Sequence, residues 1–399
     1  MRILLARIAP LYGRNGGMER VEARMADAMV QRGHAVGILS MDELPGKPCF
    51  SIHSDVQMLN LYDYMDHSFH DVHYKLVREI VRPFSKRSAL RWRNKGRAAA
   101  YKSGMGKVLA AFQPDVIVSF DAESSAMFFD SVPDLNIPLI TMFHFPTDIA
   151  VNWEDSDEQK ALLRSSCVQV LMDQDIQTLK KRLPHVTAVR IPNVVPQWSP
   201  IADLNQDKSV YTIINVARLE KNQKRQYLLV EAFALLADKF LNWNVEFWGS
   251  EPDGGTEYTA ELQKLIHDRK LESRVFLKGN SSDIHSHYVA SDIFAFPSAF
   301  EGFPLAMTEA MSAGLPVVAY KDCPAVNELI ENGKDGYLAE NGVKPFAEGL
   351  QKLMKDRELR SRMGQQAHNA MKQYAPESIW NQWENLLRNV VHLNHTRGN

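Results

Sequence analysis

The residues best suited to chemistry lie at 291–320, SDIFAFPSAFEGFPLAMTEAMSAGLPVVAY. An apolar run at 293–296 predicts a buried strand that ends at Pro297, followed by a loop to Gly302. A helix is predicted from about Pro304, which lacks an N–H that would go unpaired in a first turn; Gly314 and Pro316 stop it. Gly302 has no Cβ and lets a ligand approach the backbone. The N–H groups of Phe303, Leu305 and Ala306 would face an anionic group at the helix start. Glu301 in the loop and Glu309 in the helix can then hydrogen-bond hydroxyls of two sugars flanking a phosphate. The same carboxylates also suit an ordinary surface near a helix start, where acids are favoured anyway. Spacing alone leaves both readings open.

The elements that must hold these residues follow a repeated order of strand, turn and helix. A short apolar run at 3–8 leads into the glycine turn 13–17 and a helical stretch at 18–32, with Gly33 as its stop and a strand at 35–39. Further buried strands are expected at 116–119, 139–142 and 168–171. The segment 196–209, PQWSPIADLNQDKS, is polar with two prolines and predicts a linker. Five more strands are expected beyond it, at 211–216, 243–248, 275–277, 293–296 and 316–320. The pattern predicts α/β architecture with two doubly wound, Rossmann-like domains, at 1–198 and 208–375. Ligands of such sheets sit at the carboxyl ends of the strands. A final helix at 376–399 carries Ile379, Trp383, Leu386, Leu387 and Val390 on one side, a stripe that packs against a domain.

Bulk properties exclude several classes. With 399 residues, the chain exceeds the roughly 250–300 at which one core stops growing. A formal net charge of -2 gives no global attraction to nucleic acid. Cys49, Cys167 and Cys323 are far apart, which excludes a disulfide framework or cysteine zinc site and fits a reducing compartment. No apolar run reaches the roughly 18 residues of a membrane span, and the first residues lack a signal peptide's apolar core, so a cytoplasmic location is expected. One segment is strongly one-sided: from 75 to 107 the bases include Arg78, Arg82, Lys86, Arg87, Arg91 and Arg93, while the only acid is Glu79. Interleaved apolar residues suggest a basic amphipathic helix that meets an anionic membrane or an acceptor's phosphates, or else a solvated face.

Six segments together resemble the retaining GT-B glycosyltransferases of family 4. The 301–309 stretch is similar to the family's E-x7-E region. Asn15-Gly16-Gly17-Met18-Glu19-Arg20 resembles its N-terminal glycine turn, and Phe143-His144-Phe145 its histidine after a strand. Ile191-Pro192-Asn193-Val194 resembles its IPNGV motif, with Val194 replacing the glycine. Arg218-Leu219 followed by Lys224 resembles its phosphate clamp, and 324–338 its stretch after the catalytic helix. The likeness is weakest at 49–113. It implies two domains facing a central cleft, a final helix 376–399 that crosses back onto the first domain or else packs only on its own, and a nucleotide diphosphate sugar as donor substrate, UDP-linked on base rate alone.

The resemblance also implies roles. Arg218 and Lys224 would hold the diphosphate, with Lys221 as a competitor for the lysine's place; a solvated basic patch is the plainer alternative. Glu309 would meet the ribose hydroxyls, and Glu301 the transferred sugar, with backbone at Gly302, Phe303, Pro304 and Leu305. His144 would contact or position that sugar, or else be a core histidine. Gly16 and Gly17 would close over the diphosphate, Gly249, Gly279 and Asn280 would line the base pocket, and Asn193 would join the donor-binding set. No metal and no other cofactor is expected: Asp155-x-Asp157 and Asp173-x-Asp175 are short acidic matches of the kind chance supplies. The expected reaction moves a sugar to a hydroxyl of a glycan or glycolipid. An epimerase or phosphorylase on the same fold, a nicotinamide-dependent oxidoreductase and an inactive binding module remain alternatives.

Overall fold

The computed structural model describes residues 1–66, 72–151, 153 and 156–397, apart from the side chains of Arg87, Asp253, His395 and Arg397. Its contacts divide the chain into two units, Met1–Pro192 with Ile379–Asn399, and Asn193–Ser378.

The first unit is built on a seven-stranded sheet. Its strands are β1 (Arg2–Ala6), β2 (Ala35–Ser40), β3 (Gln57–Asn60), β4 (Val116–Ser119), β5 (Leu139–Met142), β6 (Cys167–Val170) and β7 (Ala188–Arg190). They are ordered β3-β2-β1-β4-β5-β6-β7 with every pair parallel. Strand order reverses between β1 and β4, the place where open α/β sheets bind ligands. The central strands are buried on both faces, and for that reason they read in sequence as mainly apolar runs.

The second unit carries a six-stranded sheet of β8 (Tyr211–Val216), β9 (Trp243–Trp248), β10 (Val275–Gly279), β11 (Ile293–Phe296), β12 (Val317–Tyr320) and β13 (Gly336–Ala339). Its order is β10-β9-β8-β11-β12-β13, again all parallel, with the reversal between β8 and β11. The chain enters this unit at Asn193, earlier than residue 198. Val195 N–H donates to the Tyr374 carbonyl at 2.9 Å and Trp198 N–H to Ser312 Oγ at 3.4 Å.

The last helix, Pro376–Arg397, packs into the first unit from Ile379 onward. Ile379, Trp383, Leu387 and Val390 are buried. Glu384 accepts Arg32 at 3.0 Å and Arg388 at 2.6 Å, and those two cations hold its pKa down to about 2.

The basic segment differs from a single amphipathic helix. It forms two helices, Val72–Val81 and Lys86–Phe112, joined by a turn. Leu90 and Trp92 are partly covered rather than part of an outer stripe. Trp92 packs against His73 and Tyr74 of the other helix, with ring centroids 5.9 and 6.1 Å away. Of the proposed patch, Arg78 and Arg82 pair with Glu79 at 2.7 and 3.3 Å, Lys86, Arg91 and Arg93 are exposed, and the Arg87 side chain lies outside the described residues.

Candidate functional site

In the second unit, two loops at the strand carboxyl ends are laced into one surface. The loop after β8 holds Arg218 and Lys224, and the loop after β11 holds Glu301. Gln223 ties them: its amide donates to the Phe300 carbonyl at 3.1 Å, while its own carbonyl accepts Ala299 N–H at 2.7 Å. Arg225 adds a second tie, donating to the Pro297 and Ser298 carbonyls at 2.9 Å each. Arg225 adopts a left-handed backbone (φ 50), which turns the chain from this loop into the helix Gln226–Ala234.

Held this way, Lys224 Nζ lies 2.5 Å from Glu301 Oε1, and both side chains are largely buried. Arg218 is exposed beside them and donates to Gln223 Oε1 at 2.9 Å. Lys221 instead reaches Glu261 at 2.6 Å, which leaves Lys224 as the lysine of this cluster. The helix Leu305–Ser312 starts directly after Glu301-Gly302-Phe303-Pro304, with Pro304 at the capping position rather than in the first turn. Its N-terminus presents backbone N–H groups without intrahelical partners to the same neighbourhood, a natural seat for an anion. Glu309 sits within that helix and is buried. Gly314 stops it with φ 87. The Cys323 thiol is close enough to feel Glu301, Arg225 and Lys224, but burial above all raises its pKa, so it is no nucleophile.

Gly249, Gly279 and Asn280 come together beside this cluster. Gly249 N–H donates to the Gly279 carbonyl at 2.7 Å, and Asn280 Nδ2 to Ser250 Oγ at 3.0 Å. Gly249 has φ 131, and a Cβ there would lie 2.0 Å from the Ala217 carbonyl oxygen, so only glycine fits next to the Arg218 loop. Asn193 is buried at the start of the unit, and the hydrogen bonds of the Lys224–Glu301 cluster do not include it among the described residues. Gly302 is buried in the loop that leads from Glu301 into the helix Leu305–Ser312.

The first unit gathers a second polar cluster at the carboxyl ends of β1, β4 and β5. Gly16 caps the helix Gly17–Gln31, so the glycine turn opens that helix. Arg7, just past β1, donates to Glu19 Oε1 at 2.6 Å. His144, past β5, stacks on Phe120 at 5.1 Å and 18°. Its Nε2 is shielded from solvent and has no hydrogen-bond partner among the described residues. Burial first, then the Arg7 guanidinium, pulls its pKa down to about 3, so the imidazole is neutral at physiological pH. Glu22, one turn beyond Glu19 on the helix, is buried, and its Oε1 has no hydrogen-bond partner among the described residues. Burial pushes its pKa up to about 8; Arg7 opposes that rise, and Glu19, Asp121 and Asp42 add to it. Asp121 caps the helix Ala122–Ser131 through Ser124 N–H at 2.5 Å, and burial raises its pKa as well.

The acidic pairs have structural partners. Asp157 meets Lys160 at 3.4 Å, Asp173 meets Arg190 at 3.7 Å, and Asp175 accepts Thr147 N–H at 2.8 Å, while Asp155 lies outside the described residues. Among the described residues, no group of three or more His, Cys, Asp or Glu side chains is placed to hold a metal ion.

Two family models divide the chain between them. Glycosyltransferase Family 4 matches residues 15–196, and Glycosyl transferases group 1 matches residues 197–370. The chain is a group 1, family 4 glycosyltransferase with the GT-B fold. An uncharacterized glycosyltransferase of Haemophilus influenzae is 26% identical over 380 residues, 94% of this chain and 97% of that one. A poly(ribitol-phosphate) alpha-N-acetylglucosaminyltransferase of Staphylococcus aureus is 32% identical over 168 residues, 41% of this chain and 33% of its own length. The solved structure of a TarM point mutant from S. aureus, in complex with fondaparinux, alpha-GlcNAc-glycerol and UDP, superposes with a TM-score of 0.72 at 16% identity. That superposition covers 97% of this chain and 100% of TarM.

Within this glycosyltransferase, the family-type motifs include Lys224 and Glu301 but not the residues that position them. Gln223 and Arg225 belong to the basic run EKNQKR, whose composition resembles any solvated patch. Their signal lies in carbonyl partners more than seventy residues away. Glu22 was missed because a glutamate on a helix is ordinarily solvated, and only the fold shows that its face is inward.

Proposed function

We propose that the enzyme transfers a hexose-type sugar from a UDP-linked donor to a hydroxyl of a cell-surface glycan or glycolipid precursor in the cytoplasm, with retention and without a metal. The observation that carries this reading is the Lys224–Glu301 pair at 2.5 Å, beside Arg218 and the start of the helix Leu305–Ser312. Cations and helix N–H groups there suit a diphosphate, and the carboxylates suit sugar hydroxyls. UDP bound in TarM supports a uridine donor.

In the proposed step, the acceptor oxygen bonds to the anomeric carbon while the bond from that carbon to the diphosphate oxygen breaks. The bonding pair leaves with the diphosphate, whose oxygen takes the acceptor proton on the same face of the sugar. Arg218, Lys224 and the helix start stabilise the charge as it grows, the type of contribution whose removal costs about 10²–10³ in rate. Glu301 orients the transferred sugar and Glu309 the ribose. A neutral His144 can share a hydrogen bond with the sugar but has no proton to spare for acid catalysis. Gly249, Gly279 and Asn280 fit the base, and Gly16 and Gly17 the closure over the diphosphate.

Incubation with a panel of nucleotide sugars, with and without chelator, tests this. Release of nucleoside diphosphate from one donor, unaffected by chelator, is expected. No release with any donor and acceptor overturns the proposal.

A further inference from the structure

We propose that the outer face of the helix Val72–Val81 docks on an anionic lipid surface. None of this helix's residues is buried. Val72, Leu76 and Ile80 recur every four residues and so form one stripe, 63%, 61% and 59% exposed. Phe84 in the following turn extends it and is 88% exposed. A soluble helix normally turns such a stripe inward.

Here the inward side is made by other residues. Tyr74 rests on Gly96 of the helix Lys86–Phe112, where an added Cβ would lie 2.9 Å from Tyr74 Cβ. That second helix buries Tyr101, Met105, Val108 and Phe112 on its other side, in the core over the sheet. The outer helix therefore already has its packing partner, and the apolar stripe faces away from it. Among the described residues, no other element covers the stripe.

Charge selects the occupant. Lys75, Arg78 and Arg82 lie along one edge of the stripe, and Lys86 and Arg91 follow on the next helix. Glu79, the only acid in the segment, is paired with both Arg78 and Arg82. A second copy of the chain docking face to face would bring two cationic borders together, which opposes association. An anionic bilayer meets both demands, taking the apolar stripe into the acyl boundary and the cations at its headgroups. This inference rests on the first unit alone and stands or falls independently of the donor reading.

The test is sedimentation of the full chain with vesicles of phosphatidylglycerol and phosphatidylcholine, and with phosphatidylcholine alone, at low and high salt. Binding to the anionic vesicles, weakened by salt, is expected. The L76S/I80S/F84S variant should bind about tenfold more weakly or worse at either salt, and K86E/R91E should lose the preference for anionic lipid. Circular dichroism checks each fold, and F84S alone, in an exposed turn, replaces the triple variant if that one is unstable. No binding of the wild type at low salt overturns the proposal, as does unchanged binding by the apolar variant. A concentration-dependent dimer that F84S abolishes, without vesicle binding, also overturns it and assigns the face to self-association.

Discussion

Replacing Glu22 with glutamine isolates the electrostatics of the first unit's cluster. Burial lifts the Glu22 pKa from 4.5 to about 8. Between those values the folded chain keeps the proton that the unfolded chain has released, so the unfolded state binds fewer protons and stability falls as pH rises. The contribution is fully present below pH 4.5 and is lost by about pH 8. At about 1.4 kcal/mol per pH unit, the full span corresponds to ~5 kcal/mol as a ceiling. Glutamine has no such titration. Its extra N–H adds a penalty that does not vary with pH, so the change in the gap between variant and wild type carries the argument. Denaturation of both proteins at pH 5, 6, 7 and 8.5 should show glutamine gaining on glutamate by several kcal/mol across the range, or about 2–4 °C in Tm per kcal/mol for a domain of this size. A gap that stays flat from pH 5 to 8.5 would refute a buried neutral Glu22.

Four further outcomes follow from the geometry. K224M leaves Glu301 buried without its cation, which should cost about 3–5 kcal/mol of stability, whereas K224M/E301Q recovers much of it; denaturant titration separates the two. Transfer should fall by about 10²–10³ in both variants, measured as initial rate at saturating acceptor. G249A forces a Cβ to 2.0 Å from the Ala217 oxygen at φ 131, so the second unit should melt earlier and lose nucleotide binding, as calorimetry can record. His144, with its pKa near 3, should show no imidazole protonation by NMR between pH 5 and 8, and the pH–rate profile should carry no step from it there.

Most of the fold was legible because parallel strands buried on both faces form mainly apolar runs. The strands that sequence reading missed were β3, β7 and β13, and each lies at the edge of its sheet. QMLN, AVR and GYLA are short and half-exposed, so they lack the signal that makes central strands visible. The site divides along the same line. Glu301, Lys224 and the glycines carry family-type spacing, whereas Gln223 and Arg225 act through backbone carbonyls of a distant loop, which spacing does not encode. The basic segment was visible as composition, but its separation into an inner and an outer helix depends on Gly96 admitting Tyr74.

The central claim is that the Arg218, Lys224 and Glu301 cluster, with the helix behind it, holds the diphosphate of a UDP-sugar. Titration calorimetry of UDP into the full chain, without divalent cation, tests it most directly. Saturable binding is predicted, weakened by about tenfold or more in both R218A and K224M. Absence of UDP binding, or equal affinity in all three proteins, would contradict the account.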